Sequence, residues 1–262
     1  MQEYLKELSM IYIFSAFYAE AKNIIDHYGL KKEKSPETVR FDVFANDSIR
    51  LVITGVGEIN AAAAVSNIGG AYGISPDDEI LNVGCGAGFG NETCLGSIFL
   101  GNKLTEQMTG RTFYPDMLMK TNLMECEIVT VTRVLNEGRD SVVYDMEAAA
   151  VYQAAAFFVG PHRMHFIKLV SDAGERIDQS KITELFALQE EKIYGYIDML
   201  LSVGGNKASI DDTKSAWNID GLISDMRCSK VMGDQLAQLI KYCRLSGIDY
   251  KAVLDEYYTK GM

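Results

Sequence analysis

Two short acidic stretches carry most of the chemistry open to this chain. They are Tyr144-Asp145-Met146-Glu147-Ala148-Ala149-Ala150 and Lys168-Leu169-Val170-Ser171-Asp172-Ala173, separated by one helix and one strand. Each places a carboxylate at the end of an apolar strand, and Glu147 also opens an Ala-rich helix. An ionised carboxylate accepts hydrogen bonds from vicinal hydroxyls, and a protonated carboxyl can act as a general acid. Taken singly, both have a plainer reading. A first-turn acid such as Glu147 complements a helix dipole, and Asp172 suits a helix N-cap.

Two further elements join them. Glu20 follows an apolar run, Ile11-Tyr12-Ile13-Phe14, and the small-residue turn Ser15-Ala16. It is either a third carboxylate of the same site or a solvent-exposed helix residue. Gly84-Cys85-Gly86-Ala87-Gly88 follows the apolar run Glu79–Val83. Glycines after a strand let backbone N–H groups come close to a ligand. This turn is neither a phosphate loop of the GxxxxGK[ST] kind nor a dinucleotide fingerprint. Within it Cys85 reads as a small buried filler rather than a nucleophile.

The elements that must position these residues alternate between strand and helix. Strands are predicted at Ile11–Phe14, Phe41–Phe44, Arg50–Thr54, Glu79–Val83, Ser97–Leu100, Glu127–Thr132, Val142–Asp145 and His165–Val170. Helices are predicted from the first strand to about Tyr28, over Ile59–Ile68 and Met146–Phe158, and as one long amphipathic helix over Gln179–Ser202. Alternation of this kind implies a three-layer α/β/α domain with a mixed, mainly parallel, twisted sheet, binding its ligand at strand C-terminal ends. The pattern changes at Val203-Gly204-Gly205-Asn206, which divides a main domain, 1–205, from a small helical extension, 206–262. In the extension, Met232, Leu236, Leu239, Ile240 and Cys243 follow helical spacing, with flanking helices near Thr213–Met226 and Tyr250–Tyr258.

Bulk properties narrow the function classes. The 262 residues are 48% hydrophobic and 23% charged, as expected of a packed globular protein. The net charge of −11 argues against nucleic-acid binding, which needs clustered cations. Residues 207–262 hold eight basic and eight acidic side chains, so the acidity lies in the main domain. Five scattered cysteines and three histidines offer no CxxC pair and no zinc spacing, so reduced thiols in a cytoplasmic protein are expected. The apolar run Met10–Ala19 follows Glu3, Lys6 and Glu7 rather than a basic segment, and is expected to be a buried strand, not a signal peptide. No stretch is apolar for long enough to be expected to span a membrane.

In combination, these motifs resemble the nucleoside phosphorylase superfamily, most closely its methylthioadenosine/S-adenosylhomocysteine nucleosidase branch, over about residues 10–203. The resemblance implies cleavage of an N-glycosidic bond, whose transition state is oxocarbenium-like. Met146-Glu147 matches the pair that holds the ribose, and Ser171-Asp172 the pair whose Asp protonates the purine base. Glu20 falls at the offset of the Glu that activates water. The Gly84–Gly88 turn is similar to one that lies beneath the ribose, with Cys85 where the family has Ser, and Cys85 and Gly86 are implied in substrate binding. Phe113 and Tyr114 lie where the family supplies aromatics to the 5′ end of the substrate, from the same chain or across a dimer interface; Arg111 is the nearby cation. The segment Thr54–Ala63 resembles a family turn that serves packing and subunit contact.

Two departures refine the expectation. Phosphorylases of the superfamily use arginines near the first turn and the central Gly-rich turn, and neither Ser15–Glu20 nor Gly84–Gly90 contains one. Hydrolysis of a purine or 5′-thio-purine nucleoside therefore ranks above phosphorolysis. The segment before Tyr144 is short, only Arg133–Val143, and lacks the family's base-stacking aromatic. Phe89 is the expected substitute; otherwise the pocket is open, which would weaken base recognition or admit a larger substrate. No metal or organic cofactor is called for, and a homodimer or higher homo-oligomer is expected. The alternative from another class is a catalytically silent nucleoside-binding or adaptor protein that keeps the scaffold.

Overall fold

The structure, a computed structural model, describes residues 9–175, 177–204 and 219–245. The apolar run Ile11-Tyr12-Ile13-Phe14 becomes β1 (Ile11–Ser15), every residue of which is buried. Such a run has no polar face to give to water, so it takes the middle of a sheet covered on both sides. It lies between β4 (Ile49–Ile53) and β5 (Glu79–Gly88) and runs parallel to both. Antiparallel β3 (Asp42–Ala45) and the two-residue β2 (Lys31–Lys32) finish this edge. On its other side β5 pairs in parallel with β10 (Met164–Asp172), which meets β6 (Ile98–Glu106) antiparallel. The sheet continues through β8 (Met124–Thr130) to β9 (Val142–Asp145), which pairs with the end of β5 at Ala87 and Gly88. The short β7 (Thr112–Phe113) pairs with β6, completing a ten-stranded mixed sheet.

Helices cover both faces. One face holds α2 (Glu58–Tyr72) and α3 (Ala148–Ala155), packed on Phe14, Val52, Ile80 and Phe166. The other holds α1 (Tyr18–His27), α4 (Gln179–Leu188) and α5 (Glu190–Gly204), packed on Ile13, Leu51, Leu81 and Ile167. This is the three-layer α/β/α arrangement. Among the described residues no helix is long and apolar enough to cross a membrane.

Several local expectations are corrected. The long helix over Gln179–Ser202 is two helices broken at Gln189, whose side-chain amide donates to the Gly96 carbonyl at 2.9 Å. The predicted turn Gly84–Gly88 is strand, the second half of β5. Helix α2 runs through Gly69-Gly70 to Tyr72, because Phe158 packs directly against the bare face at Gly69. Helix α3 is shorter than expected and begins only after Glu147.

The chain falls into two compact units, Met1–Lys207 and Ala208–Met262. The second contains α6 (Ile219–Asp225) and α7 (Lys230–Leu245). The helix predicted at Tyr250–Tyr258, and the first part of that predicted near Thr213–Met226, lie outside the described residues.

Candidate active site

Strands β1, β5, β9 and β10 all deliver polar residues to one end of the sheet. β1 ends on Ser15, β9 on Asp145 and β10 on Ser171-Asp172, while β5 ends on the Gly84–Gly88 stretch, at the end of the sheet where covering helices begin and backbone groups are free. There a cavity of about 340 Å³ is lined by Glu20, Cys85, Gly86, Met146, Glu147, Ser171 and Asp172, among others. Carboxylates from three distant parts of the chain thus share one hollow.

Glu20 sits in the first turn of α1 and is 2% exposed. Its Oε2 accepts the Phe17 N–H at 3.0 Å, and its Oε1 accepts the Cys85 N–H at 2.8 Å and the Cys85 thiol at 3.0 Å. A carboxylate oxygen has two acceptor sites, so Oε2 keeps one for a water or a hydroxyl. Burial first, then the Glu20 charge, pushes the Cys85 thiol up, so it remains a protonated donor. Cys85 is accordingly a spacer and a hydrogen-bond donor here, not a nucleophile.

Glu147 stands at the N-terminus of α3 and accepts the Gly57 N–H at 2.8 Å through Oε1. Gly57 opens α2 with φ of +98°, a conformation natural only to glycine, and this turns its N–H toward the carboxylate. The segment Thr54–Ala63, expected to serve packing and subunit contact, therefore reaches the site. Burial pushes the Glu147 carboxyl up to about 7, and the Asp145 and Glu20 charges add to this, against the pull of Lys168 and the Gly57 N–H.

Lys168 and Asp145 are the residues that sequence reasoning left out. The Lys168 ammonium is 2.8 Å from Asp145 Oδ2 and 3.9 Å from Glu147 Oε2, with its side chain 1% exposed. Burial opposes its charge, but Asp145, Glu147 and Glu20 outweigh that and hold its pKa above the ordinary value. Asp145 also accepts the Thr130 hydroxyl and the Ala148 N–H, both at 2.7 Å, and so caps α3 from the preceding strand. A signal was present: Lys168 interrupts the apolar run Phe166–Val170, and a charge inside such a run must find a buried partner. Gly84 faces Lys168 across the β5–β10 pair, where a Cβ would lie 3.1 Å from Nζ and 3.2 Å from Glu20 Oε1.

Asp172 ends β10. Its Oδ2 accepts the Ser171 hydroxyl at 2.7 Å and its Oδ1 accepts the Gly174 N–H at 2.8 Å. Each oxygen keeps one further acceptor site. Val131, Val134 and Leu135, between β8 and β9, form an aliphatic part of the wall beside Tyr144, and Phe17, Glu175 and Gln179 line it elsewhere.

Some expected residues lie elsewhere. Phe89 does not line this cavity; it packs edge-on against Tyr144 at 5.6 Å and faces an adjoining cleft. Phe113, in β7, stacks on Tyr152 at 5.0 Å, and Tyr114 is 60% exposed; neither lines this chain's cavity. Arg111 hydrogen-bonds the Gln153 side chain and is not a cavity residue.

Neither a family sequence profile nor any curated protein matches the chain. Solved structures do. The 5′-methylthioadenosine nucleosidase of Arabidopsis thaliana, in apo form, superposes with a TM-score of 0.60 at 19% identity, covering 75% of this chain and 99% of that one. This chain has the nucleosidase fold. The 5′-methylthioadenosine/S-adenosylhomocysteine nucleosidase of Neisseria meningitidis, in complex with methylthio-immucillin-A, gives 0.57 at 17% identity over 76% of this chain and 100% of that one. The futalosine hydrolase of Helicobacter pylori gives 0.56 at 12% identity over 74% and 98%.

Proposed function

We propose that the chain hydrolyses the N-glycosidic bond of a purine or 5′-thio-purine nucleoside and releases the free base. The observation that carries this reading is the convergence of Glu20, Glu147 and Asp172 on one cavity of about 340 Å³. In the proposed reaction Glu147 accepts hydrogen bonds from the ribose hydroxyls. Glu20 holds the attacking water through its free Oε2 site. Asp172, in its protonated form, donates to the departing base, with Ser171 and Gly174 fixing its orientation. Positive charge then grows on a sugar surrounded by Glu20, Asp145 and Glu147, while Lys168 offsets only one of them. Fixed charge placed where charge develops in the transition state is the most effective form of catalysis such a site can offer.

Water is favoured over phosphate because no arginine or lysine stands among the described residues lining the cavity, and Lys168 is occupied by Asp145. Phe113 and Tyr114 are retained only as a proposed contribution across a homodimer interface, which sedimentation of the purified chain tests. The reaction is tested by incubating the protein with adenosine, inosine and 5′-methylthioadenosine, with and without phosphate, and following free base by chromatography. Release independent of phosphate, abolished in Glu20→Gln and Asp172→Asn with ligand binding retained, is expected. Binding without release by the unaltered protein would establish a silent scaffold instead.

A further inference from the structure

Beside the cavity lies a second, larger cleft of about 920 Å³. The two share Ser171, Asp172, Glu175 and Ile177. Its far walls come from Phe89, Thr93, Asn136, Glu137, Asp178 and Lys181. The short segment before β9 supplies one wall through Asn136, Glu137 and Gly138, and Phe89, packed on Tyr144, supplies another part. A ligand-sized hollow of ~300–1,000 Å³ commonly takes a whole drug-sized molecule, so this cleft far exceeds what the edge of a purine needs.

We infer that the cleft receives an extended, neutral or positively charged arm carried on the exocyclic nitrogen of the purine, so that the preferred substrate is a base-modified nucleoside. This rests on the proposed nucleosidase reading, which puts the ribose at Glu147 and the base at Asp172. In a purine the imidazole nitrogen available to Asp172 and the exocyclic group lie on the same edge. A substituent there leaves the ring past Asp172, directly into the cleft. Its lining favours a cation: with Asp172 protonated as the general acid, Glu137, Glu175 and Asp178 face one lysine, Lys181, among the described residues. An independent observation points to a ligand. Thr93 lines the cleft at 1% exposure, and its buried hydroxyl finds no hydrogen-bond partner among the described residues. Buried hydroxyls are partnered as a rule, so an arm with a hydrogen-bonding atom answers a need already built into the wall.

The test compares kcat/KM for three nucleosides: adenosine, adenosine with an aminohexyl chain on its exocyclic nitrogen, and adenosine with a carboxypentyl chain there. The amino arm is expected to raise kcat/KM by about tenfold over adenosine, the worth of one well-placed charge contact, and the carboxyl arm to lower it. The double variant Glu137→Gln/Asp178→Asn should lose most of the amino-arm advantage and leave adenosine cleavage unchanged. Adenosine cleaved faster than the amino-armed nucleoside overturns this inference and leaves the nucleosidase reading standing. An amino-arm advantage that survives in the double variant removes the acidic wall as its cause and overturns the assignment of charge. Cleavage of none of the three overturns both proposals together.

Discussion

Replacing Glu147 by Gln should make the protein more stable and less active, and the stability gain should depend on pH. Burial holds the Glu147 carboxyl protonated up to about 7, against an ordinary 4.5. Shifted by that much, the ionised form costs about 3 kcal/mol more in the folded protein than in the unfolded chain. Because the folded pKa is raised, the group's contribution to stability is complete below 4.5 and is lost as the pH climbs through 7. The amide of the Glu147→Gln variant would keep an oxygen for the Gly57 N–H and carries no charge at any pH. The stability of the variant relative to the native protein should therefore rise by roughly 2–3 kcal/mol between pH 4 and pH 8. Urea denaturation followed by circular dichroism at several pH values measures it. On the proposed reading, activity moves the other way: kcat/KM at pH 8 falls by about 10²–10³, the cost of removing a charged acceptor from the transition state. A stability difference that stays flat from pH 4 to pH 8 would refute the claim that Glu147 is buried at a cost.

Three further outcomes follow from the same geometry. Lys168→Met removes the ammonium that faces Asp145, Glu147 and Glu20, and should destabilise the fold at pH 8 by about 3–5 kcal/mol, as breaking a buried ion pair does; the urea midpoint should recover partly at pH 5, where Glu147 is protonated. Glu79→Gln breaks a buried network in which Glu79 meets His165 at 3.1 Å and His165 meets Tyr196 at 2.8 Å. Burial raises the Glu79 pKa, but His165 and Arg163 more than reverse this and hold it below 4.5, so its contribution of about 1–3 kcal/mol should be present above pH 4.5 and vanish only as the pH falls below that value. Gly174→Ala forces a Cβ to within 1.9 Å of the Leu135 carbonyl at φ of +90°; thermal melts should show a loss, and base release should fall with it because Asp172 loses its Gly174 anchor.

The sheet was legible because its central strands are apolar runs, broken in Phe166–Val170 only by Lys168, and a strand covered on both faces buries Ile11–Phe14 and Phe166–Val170 fully. Glu147 and Asp172 were legible as candidates for a related reason: a carboxylate following such a run stands at a strand's exit, where ligands bind; Glu20, in the first turn of α1, was a candidate through its offset in the resemblance alone. What was not legible depended on contacts between distant segments. The stretch Gly84–Gly88 carries turn residues, yet it extends β5 because β10 and β9 supply partners for its backbone. Gln189 has no helix-breaking chemistry of its own; the break there goes with an amide bond to Gly96, a residue far away in the chain. Lys168 was passed over as strand filler, although its charge could not be left unpaired at that depth. Phe113 and Tyr114 were placed by resemblance and Phe89 as a substitute for an aromatic the chain lacks, and the side-chain packing of Tyr144 and Tyr152 draws the two phenylalanines away from the cavity.

The charge balance of the cavity weighs against a scaffold that only persists. Glu20, Asp145 and Glu147 are each under one-tenth exposed and meet a single ammonium. Taking an ion from water into such a place costs several kcal/mol, and only good pairing recovers it. Asp145 has full compensation from Lys168, Thr130 and Ala148. Glu147 does not: it has one backbone N–H, a distant ammonium and two neighbouring acids, which is why its proton is held so late. A glutamine would accept the same N–H without that penalty. Stability alone therefore favours an amide at position 147, and the acid is explained only by something that uses its charge. A sugar that becomes positively charged in the transition state is such a use, because it converts the strain of an under-paired carboxylate into stabilisation of the reacting centre.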